Sequence, residues 1–98
     1  MTCVADDFYY ALKELLLTPA GCLNQLKFKP DHPFFVFGES YGGKYAPAIG
    51  EKILREAQDN NATITGLKGV AIGDGFTNPS AILSQMGEYA YNLGLLDY

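Results

Sequence analysis

The chain has 98 residues, 48% apolar and 18% charged, with seven Lys+Arg against eleven Asp+Glu and a net charge of −4. That composition belongs to a globular chain and excludes general disorder, and the length allows one domain at most. The acidic balance argues against a nucleic-acid partner, and no apolar run is long enough to span a bilayer.

Met1 is followed by Thr2, with Asp6 and Asp7 close behind. No charged segment leads into an apolar one, so no signal peptide is expected within these residues. Val4, Phe8, Leu12 and Leu16 recur every four residues, with Ala11 and Leu15 beside them, which predicts a helix over roughly residues 3–17. Asp6 and Asp7 fall near its start, where the helix dipole favours negative charge. Thr18-Pro19 closes it, because a residue before proline avoids the helical region. Residues 19–33, carrying Pro19, Gly21, Asn24, Pro30, Asp31 and Pro33, read as a surface connection. Phe34-Phe35-Val36-Phe37 is apolar at every position. It predicts a strand inside a sheet covered by helices on both faces, ended by Gly38.

Tyr45, Ile49, Ile53 and Ala57, spaced by four, predict a second helix from Tyr41 to about Gln58, with Glu51, Lys52, Arg55 and Glu56 facing out. Pro47 is expected to kink it just past the first turn. Asp59-Asn60-Asn61 is a loop, and Leu67 to Gly73 is a second short buried strand. Strand, helix and strand over about forty residues make a βαβ unit with parallel strands and a right-handed crossover. Asn78-Pro79-Ser80 then opens a third helix whose apolar residues are Ile82, Met86, Tyr89, Ala90 and Leu93, ended by Gly94. The fold class is α/β.

Cys3 and Cys22 are too few for a disulfide framework. With one histidine in the chain they match no zinc signature, so neither a metal nor a cofactor is expected. The thiols are either free or buried, or paired with each other or with a cysteine elsewhere. Asn61-Ala62-Thr63 fits the N-glycosylation acceptor pattern, whereas Pro79 blocks Asn78-Pro79-Ser80. Asn61 is therefore a glycosylation candidate, on condition that the chain enters the secretory route.

Between the first strand and its helix stands Gly38-Glu39-Ser40-Tyr41-Gly42, a G-x-S-x-G in the strand–turn–helix setting that a nucleophile elbow requires. Residues two before and two after the serine must be small for strand and helix to close around it. The Ser40 hydroxyl is then pushed out at the carboxyl end of the sheet. The N–H of Tyr41 faces the space where an oxyanion forms, and the helix dipole adds to the same field. Eleven glycines and three serines would produce this pattern by accident roughly 0.04 times in such a chain. A nucleophilic serine needs a base and an orienting acid. His32 lies at the far end of the strand, about 20 Å away at about 3.3 Å per residue, and reads as a loop histidine. Asp74 follows the second strand at the same edge as Ser40. An acid there can orient a histidine, although a loop-capping carboxylate is the simpler reading. The chain thus holds a nucleophile without its base.

The segment Gly38-Glu39-Ser40-Tyr41-Gly42-Gly43-Lys44-Tyr45-Ala46-Pro47 resembles the nucleophile segment of the serine carboxypeptidases, an α/β-hydrolase family that removes C-terminal residues from peptides. Ile72-Gly73-Asp74-Gly75-Phe76-Thr77-Asn78-Pro79 resembles the family's segment after the next strand. Gly87-Glu88-Tyr89-Ala90-Tyr91 and Gly94-Leu95-Leu96-Asp97 continue the likeness into the start of the family's inserted helical cap. The resemblance runs from about Val4 to the end and is nearest to the vitellogenic-like branch. It implies that residues 1–98 are a partial α/β-hydrolase domain, incomplete at both ends, that contains the elbow βαβ unit and flanking helices.

By the same resemblance, Ser40 is the acylated nucleophile, the Tyr41 backbone N–H is one oxyanion donor, and Glu39 helps to bind the terminal carboxylate of the substrate. A carboxyl group hydrogen-bonds a carboxylate only while it keeps a proton, which needs burial or a neighbouring acid and favours acidic pH. Gly42 replaces the family's usual alanine, and Asp74 stands where asparagine is common. The second oxyanion donor and the triad Asp and His lie outside the chain, so residues 1–98 are expected to be inactive alone and to depend on missing parts of the same protein. Peptide or protein C-termini are the implied substrates. A lysosomal, vacuolar or extracellular setting is implied for the full-length protein. Acyl transfer on the same scaffold, or a non-catalytic truncated product, are the alternative functions.

Overall fold

The computed structural model describes residues 2–59 and 63–97. Along the chain these form α1 (Thr2–Leu17), α2 (Cys22–Gln25), β1 (Phe34–Glu39), α3 (Gly42–Gln58), β2 (Leu67–Gly73) and α4 (Pro79–Asn92). The expected helices and strands are present within a few residues of their predicted limits. The four-residue α2 inside the 19–33 connection was not foreseen, since one turn carries no readable periodicity. It helps to close α1, since the Asn24 side-chain amide donates to the Leu16 carbonyl at 3.0 Å; just before it, the Thr18 hydroxyl donates to the Glu14 carbonyl at 2.6 Å. The Leu16 carbonyl lies in the last turn, beyond reach of a helical donor, and the Glu14 carbonyl also accepts from the Thr18 N–H at 3.3 Å.

The core lies between α1, α3 and one face of the sheet. It consists of Ala5, Tyr9, Leu16, Ile49, Ile53 and Ile64, with Leu12, Leu23, Phe34, Val36, Ala48 and Leu67 packed around them. Ile53 and Ile64 are each 1% exposed. The expected stripe of α1 holds in its second half, where Leu16 is buried and Leu12 packs on the core, and is rotated in its first half: Val4 and Phe8 are exposed, while Ala5 and Tyr9 turn inward. The small Ala5 suits a close helix–helix contact. Tyr9 spends its hydroxyl on the Thr63 hydroxyl at 3.2 Å, so its burial leaves no polar atom unpaired. The acidic residues of α1 also act differently from expectation. Its first turn holds none, and Asp6 instead meets Lys52 Nζ of α3 at 2.9 Å, with Glu56 on the same ammonium at 2.6 Å. These two hydrogen bonds, Glu56 first, hold the lysine well above its ordinary value.

β1 and β2 pair in parallel, in a register that runs from Phe35 opposite Gly69 to Glu39 opposite Gly73. The α3 helix crosses between them and continues unbroken through Pro47. The sheet is covered on one face only. Phe34, Val36 and Gly38 point toward the helices, whereas Phe35 and Phe37 are 59% and 76% exposed. The expectation of cover on both faces fails because α1 and α3 both pack on the same side and α4 packs against no other element among the described residues. Ile82, Met86, Tyr89 and Leu93 of α4 are all exposed. The radius of gyration, 18.2 Å, exceeds the roughly 13 Å of a compact domain of this length, as expected when a helix stands away from the body. No helix among the described residues is long and apolar enough to cross a membrane. Cys3 and Cys22 are free and exposed.

Candidate active site

β1 ends at Glu39 and α3 begins at Gly42, so Ser40 and Tyr41 make the whole turn. A strand can feed a helix in two residues only if the chain reverses sharply, and the reversal is visible in the backbone: Ser40 has φ = 54°. A side-chain-bearing residue there carries strain of about 1–2 kcal/mol. Three backbone hydrogen bonds hold it. The Ser40 N–H donates to the Gly73 carbonyl at 3.2 Å, and the Ser40 carbonyl accepts from the N–H groups of Gly43 at 3.0 Å and Phe76 at 2.7 Å. The loop after β2 is thus fastened to the turn after β1. The Ser40 side chain is exposed at the carboxyl edge of the sheet.

The small residues around the turn divide unequally. A methyl group on Gly38 would overlap the Gly42 carbonyl and come within 2.9 Å of Ala46 Cβ, so this first glycine lets α3 lie on the strand. A methyl group on Gly42 would touch nothing within 4 Å. The requirement for a small residue two positions after Ser40 is therefore not one of space. It has moved to Gly43, where a methyl group would stand 2.8 Å from Gly75 Cα and 3.0 Å from the Phe76 nitrogen. Gly43, Gly75 and the Phe76 N–H are site features that the motif alone did not single out. Their only sequence signals are the doubled glycine at 42–43 and Gly73-Asp74-Gly75.

Tyr41 occupies the N-cap of α3 with helical φ and ψ of −64° and −17°. Among the described residues none accepts from its N–H, as is usual for the first donors of a helix. Its exposed ring meets Tyr45 edge-on at 5.2 Å and Phe76 at 6.4 Å, with Lys44 Nζ 5.7 Å from its centroid. Glu39 is exposed and shares the alternation of Phe35 and Phe37, so it stands on the uncovered side of the sheet. The burial its expected role requires is not supplied by the described residues.

Asp74 is level with Ser40, one residue past the Glu39–Gly73 pair, with φ = 42° and an exposed side chain. No hydrogen bond joins it to Ser40 among the described residues. His32 lies at the opposite end of the sheet. Its backbone presses on Gly66, just before β2, and its Nδ1 accepts from the Lys29 N–H at 2.6 Å while its ring meets Phe28 edge-on. Asn61 lies outside the described residues.

The sequence profile of the serine carboxypeptidases matches residues 3–98. The chain is 43% identical over 99 aligned residues to the probable serine carboxypeptidase CPVL of Homo sapiens, covering 96% of this chain and 18% of that protein. It is 48% identical over 66 residues to the vitellogenic carboxypeptidase of Aedes aegypti, covering 67% of this chain and 13% of the relative. Over 64 residues it is 48% identical to the venom serine carboxypeptidase of Apis mellifera, again covering 65% of this chain and 13% of the other. No solved structure matches. The chain thus spans less than a fifth of the length of these curated relatives. A profile match over nearly every residue, together with relatives this similar, establishes that the chain belongs to the serine carboxypeptidase family.

Proposed function

We propose that residues 1–98 carry the nucleophile elbow of a serine-type carboxypeptidase and that Ser40 is its acylated residue. The observation that carries this is Ser40 itself: a non-glycine residue at φ = 54°, exposed, held between β1 and α3 by three backbone hydrogen bonds. Strain of this kind persists where surrounding structure enforces it, and it clusters at reactive positions. The Ser40 oxygen forms a bond to the carbonyl carbon of the last peptide bond as its proton passes to a general base. The carbonyl becomes an oxyanion facing the Tyr41 N–H. The C–N bond then breaks and the amine leaves with that proton. Water repeats the attack on the ester, which releases the shortened peptide as a carboxylate and restores the hydroxyl.

The base and the second oxyanion donor come from residues outside this chain, as do covers for Phe35, Phe37 and α4, so residues 1–98 alone turn nothing over. Glu39 binds the substrate carboxylate once that cover buries it. The substrates are peptide C-termini. The Asn61 sequon and the word venom in the name of the honeybee relative support a secretory, lysosomal or extracellular setting. In the full-length protein an organophosphonate probe is expected to label wild type and not Ser40→Ala; undiminished labelling of Ser40→Ala removes Ser40 as nucleophile.

A further inference from the structure

The carbonyl of Ser40 and the N–H of Tyr41 belong to one peptide unit, which is planar and trans, so the two groups point in opposite directions. Whatever fixes the carbonyl therefore fixes the N–H. Two donors converge on that carbonyl: Gly43 N–H at 3.0 Å from the first turn of α3, and Phe76 N–H at 2.7 Å from the loop after β2. The first is what any helical turn supplies. The second comes from an element thirty-six residues away in sequence, and it is the shorter. The approach that permits it is the contact of Gly43 with Gly75, neither of which has a side chain to hold the loop off.

We propose that the Phe76 backbone N–H is a positioning group for catalysis, which aims and polarises the Tyr41 N–H toward the oxyanion through their shared peptide. An amide whose oxygen accepts two hydrogen bonds has a more positive N–H, so the pair strengthens the donor as well as orienting it. The loop after β2 thereby contributes to the transition state without touching substrate through its backbone. The inference rests on the reading of Ser40 as nucleophile and Tyr41 N–H as oxyanion donor.

The test replaces single backbone N–H groups by ester oxygens in the full-length protein, through nonsense suppression with α-hydroxy acids. Phenyllactate at position 76 removes the donor and keeps the side chain. It is expected to lower kcat about tenfold, less than the 10²–10³ lost when an oxyanion donor is removed outright. KM should stay within about twofold, because the bond acts only as negative charge develops. The inhibition constant of a peptide boronic acid, which places an oxyanion in the same position, should rise by the same factor. The ester at Thr77 is the matched control: it removes the 2.8 Å bond from Thr77 N–H to the Gly75 carbonyl, which the Phe76 ester also weakens, and should leave kcat unchanged. An unchanged kcat in the Phe76 ester overturns the proposal, as does an equal loss in the Thr77 ester. If the Phe76 ester does not accumulate, glycolate at position 43 removes the other donor and is read by the same criteria. Labelling that survives Ser40→Ala brings down the parent reading and this one together. Normal Ser40 labelling with normal kcat in the esters sinks this one alone.

Discussion

Replacing Gly43 by alanine sets two effects of opposite sign against each other. Gly43 lies in the first turn of α3, where alanine is favoured over glycine by up to about 1 kcal/mol. The new methyl group would stand 2.8 Å from Gly75 Cα, 2.9 Å from the Gly75 carbonyl carbon and 3.0 Å from the Phe76 nitrogen. The nearest of these is about 0.6 Å inside the start of ordinary contact, and all three are backbone atoms that cannot rotate away. Overpacking against rigid neighbours costs about 1–3 kcal/mol, so against the full helix gain the balance is a net loss of up to about 2 kcal/mol. The loop must move by that distance, which lengthens the bond from Phe76 N–H to the Ser40 carbonyl. A displacement of this size at a reacting centre lowers the rate roughly ten- to thirtyfold. In the full-length protein, Gly43→Ala should lose several degrees of thermal stability and label with organophosphonate correspondingly slowly. Gly42→Ala, whose methyl group meets nothing within 4 Å, should be as stable as wild type or more so, and should label normally. A Gly43→Ala protein as stable and as reactive as Gly42→Ala would refute the claim that the two loops are in rigid contact.

Ser40→Gly removes the hydroxyl and the strain at φ = 54° together, so it should abolish labelling while raising stability by about 1 kcal/mol relative to Ser40→Ala in urea denaturation. Equal stability of the two variants would show that the turn is unstrained. Ile64→Ala, at 1% exposure, should cost about 2–5 kcal/mol in the same assay, and a loss below 1 would mean that the site collapses around the cavity. Lys52 is held above its ordinary value of 10.5 by Glu56 and Asp6, so its stabilisation of the α1–α3 contact is complete below that pH and is lost as pH rises through the elevated value. The stability deficit of Lys52→Met should accordingly be constant from pH 7 to about 10 and shrink only above it; a deficit that disappears by pH 9 would contradict the ion pairing.

The elements were legible because their signals are local. Four-residue spacing around Ile49 and Ile53, the unbroken apolar run at 34–37, Val70-Ala71-Ile72 within 67–73, and a proline after Asn78 each specify an element without reference to anything distant. What was not legible depends on which neighbours are present. Phe35 and Phe37 carry the sequence of a doubly buried strand, yet only Phe34 and Val36 find helices to pack on. The pattern records two layers, and the described residues supply one. The rotation of α1 has a related cause. Val4 and Phe8 are more apolar than Ala5 and Tyr9, so periodicity weighted by hydropathy misplaces the first half of the stripe while Leu12 and Leu16 keep their places. Geometry selects the small residue that permits close approach and the aromatic residue whose hydroxyl finds Thr63.

The site divides along the same line. Ser40 could be placed from five letters, because strand, turn and helix are contiguous and a two-residue connection leaves one conformation for the serine. Nothing in those letters distinguishes Gly42 from Gly43. The motif emphasises Gly42, but a methyl group there would face open space, so alanine fits at that position without movement. Gly43 is constrained by a partner that the chain reaches only after crossing α3 and β2, and no local pattern can encode that distance. The turn at Ser40 is thus set by a short segment, whereas the orientation of the Ser40–Tyr41 peptide is also held by a tertiary contact, the bond from Phe76 N–H. With Ser40 as the proposed nucleophile, a substitution in the loop after β2 is for that reason expected to slow its labelling while its own motif stays intact.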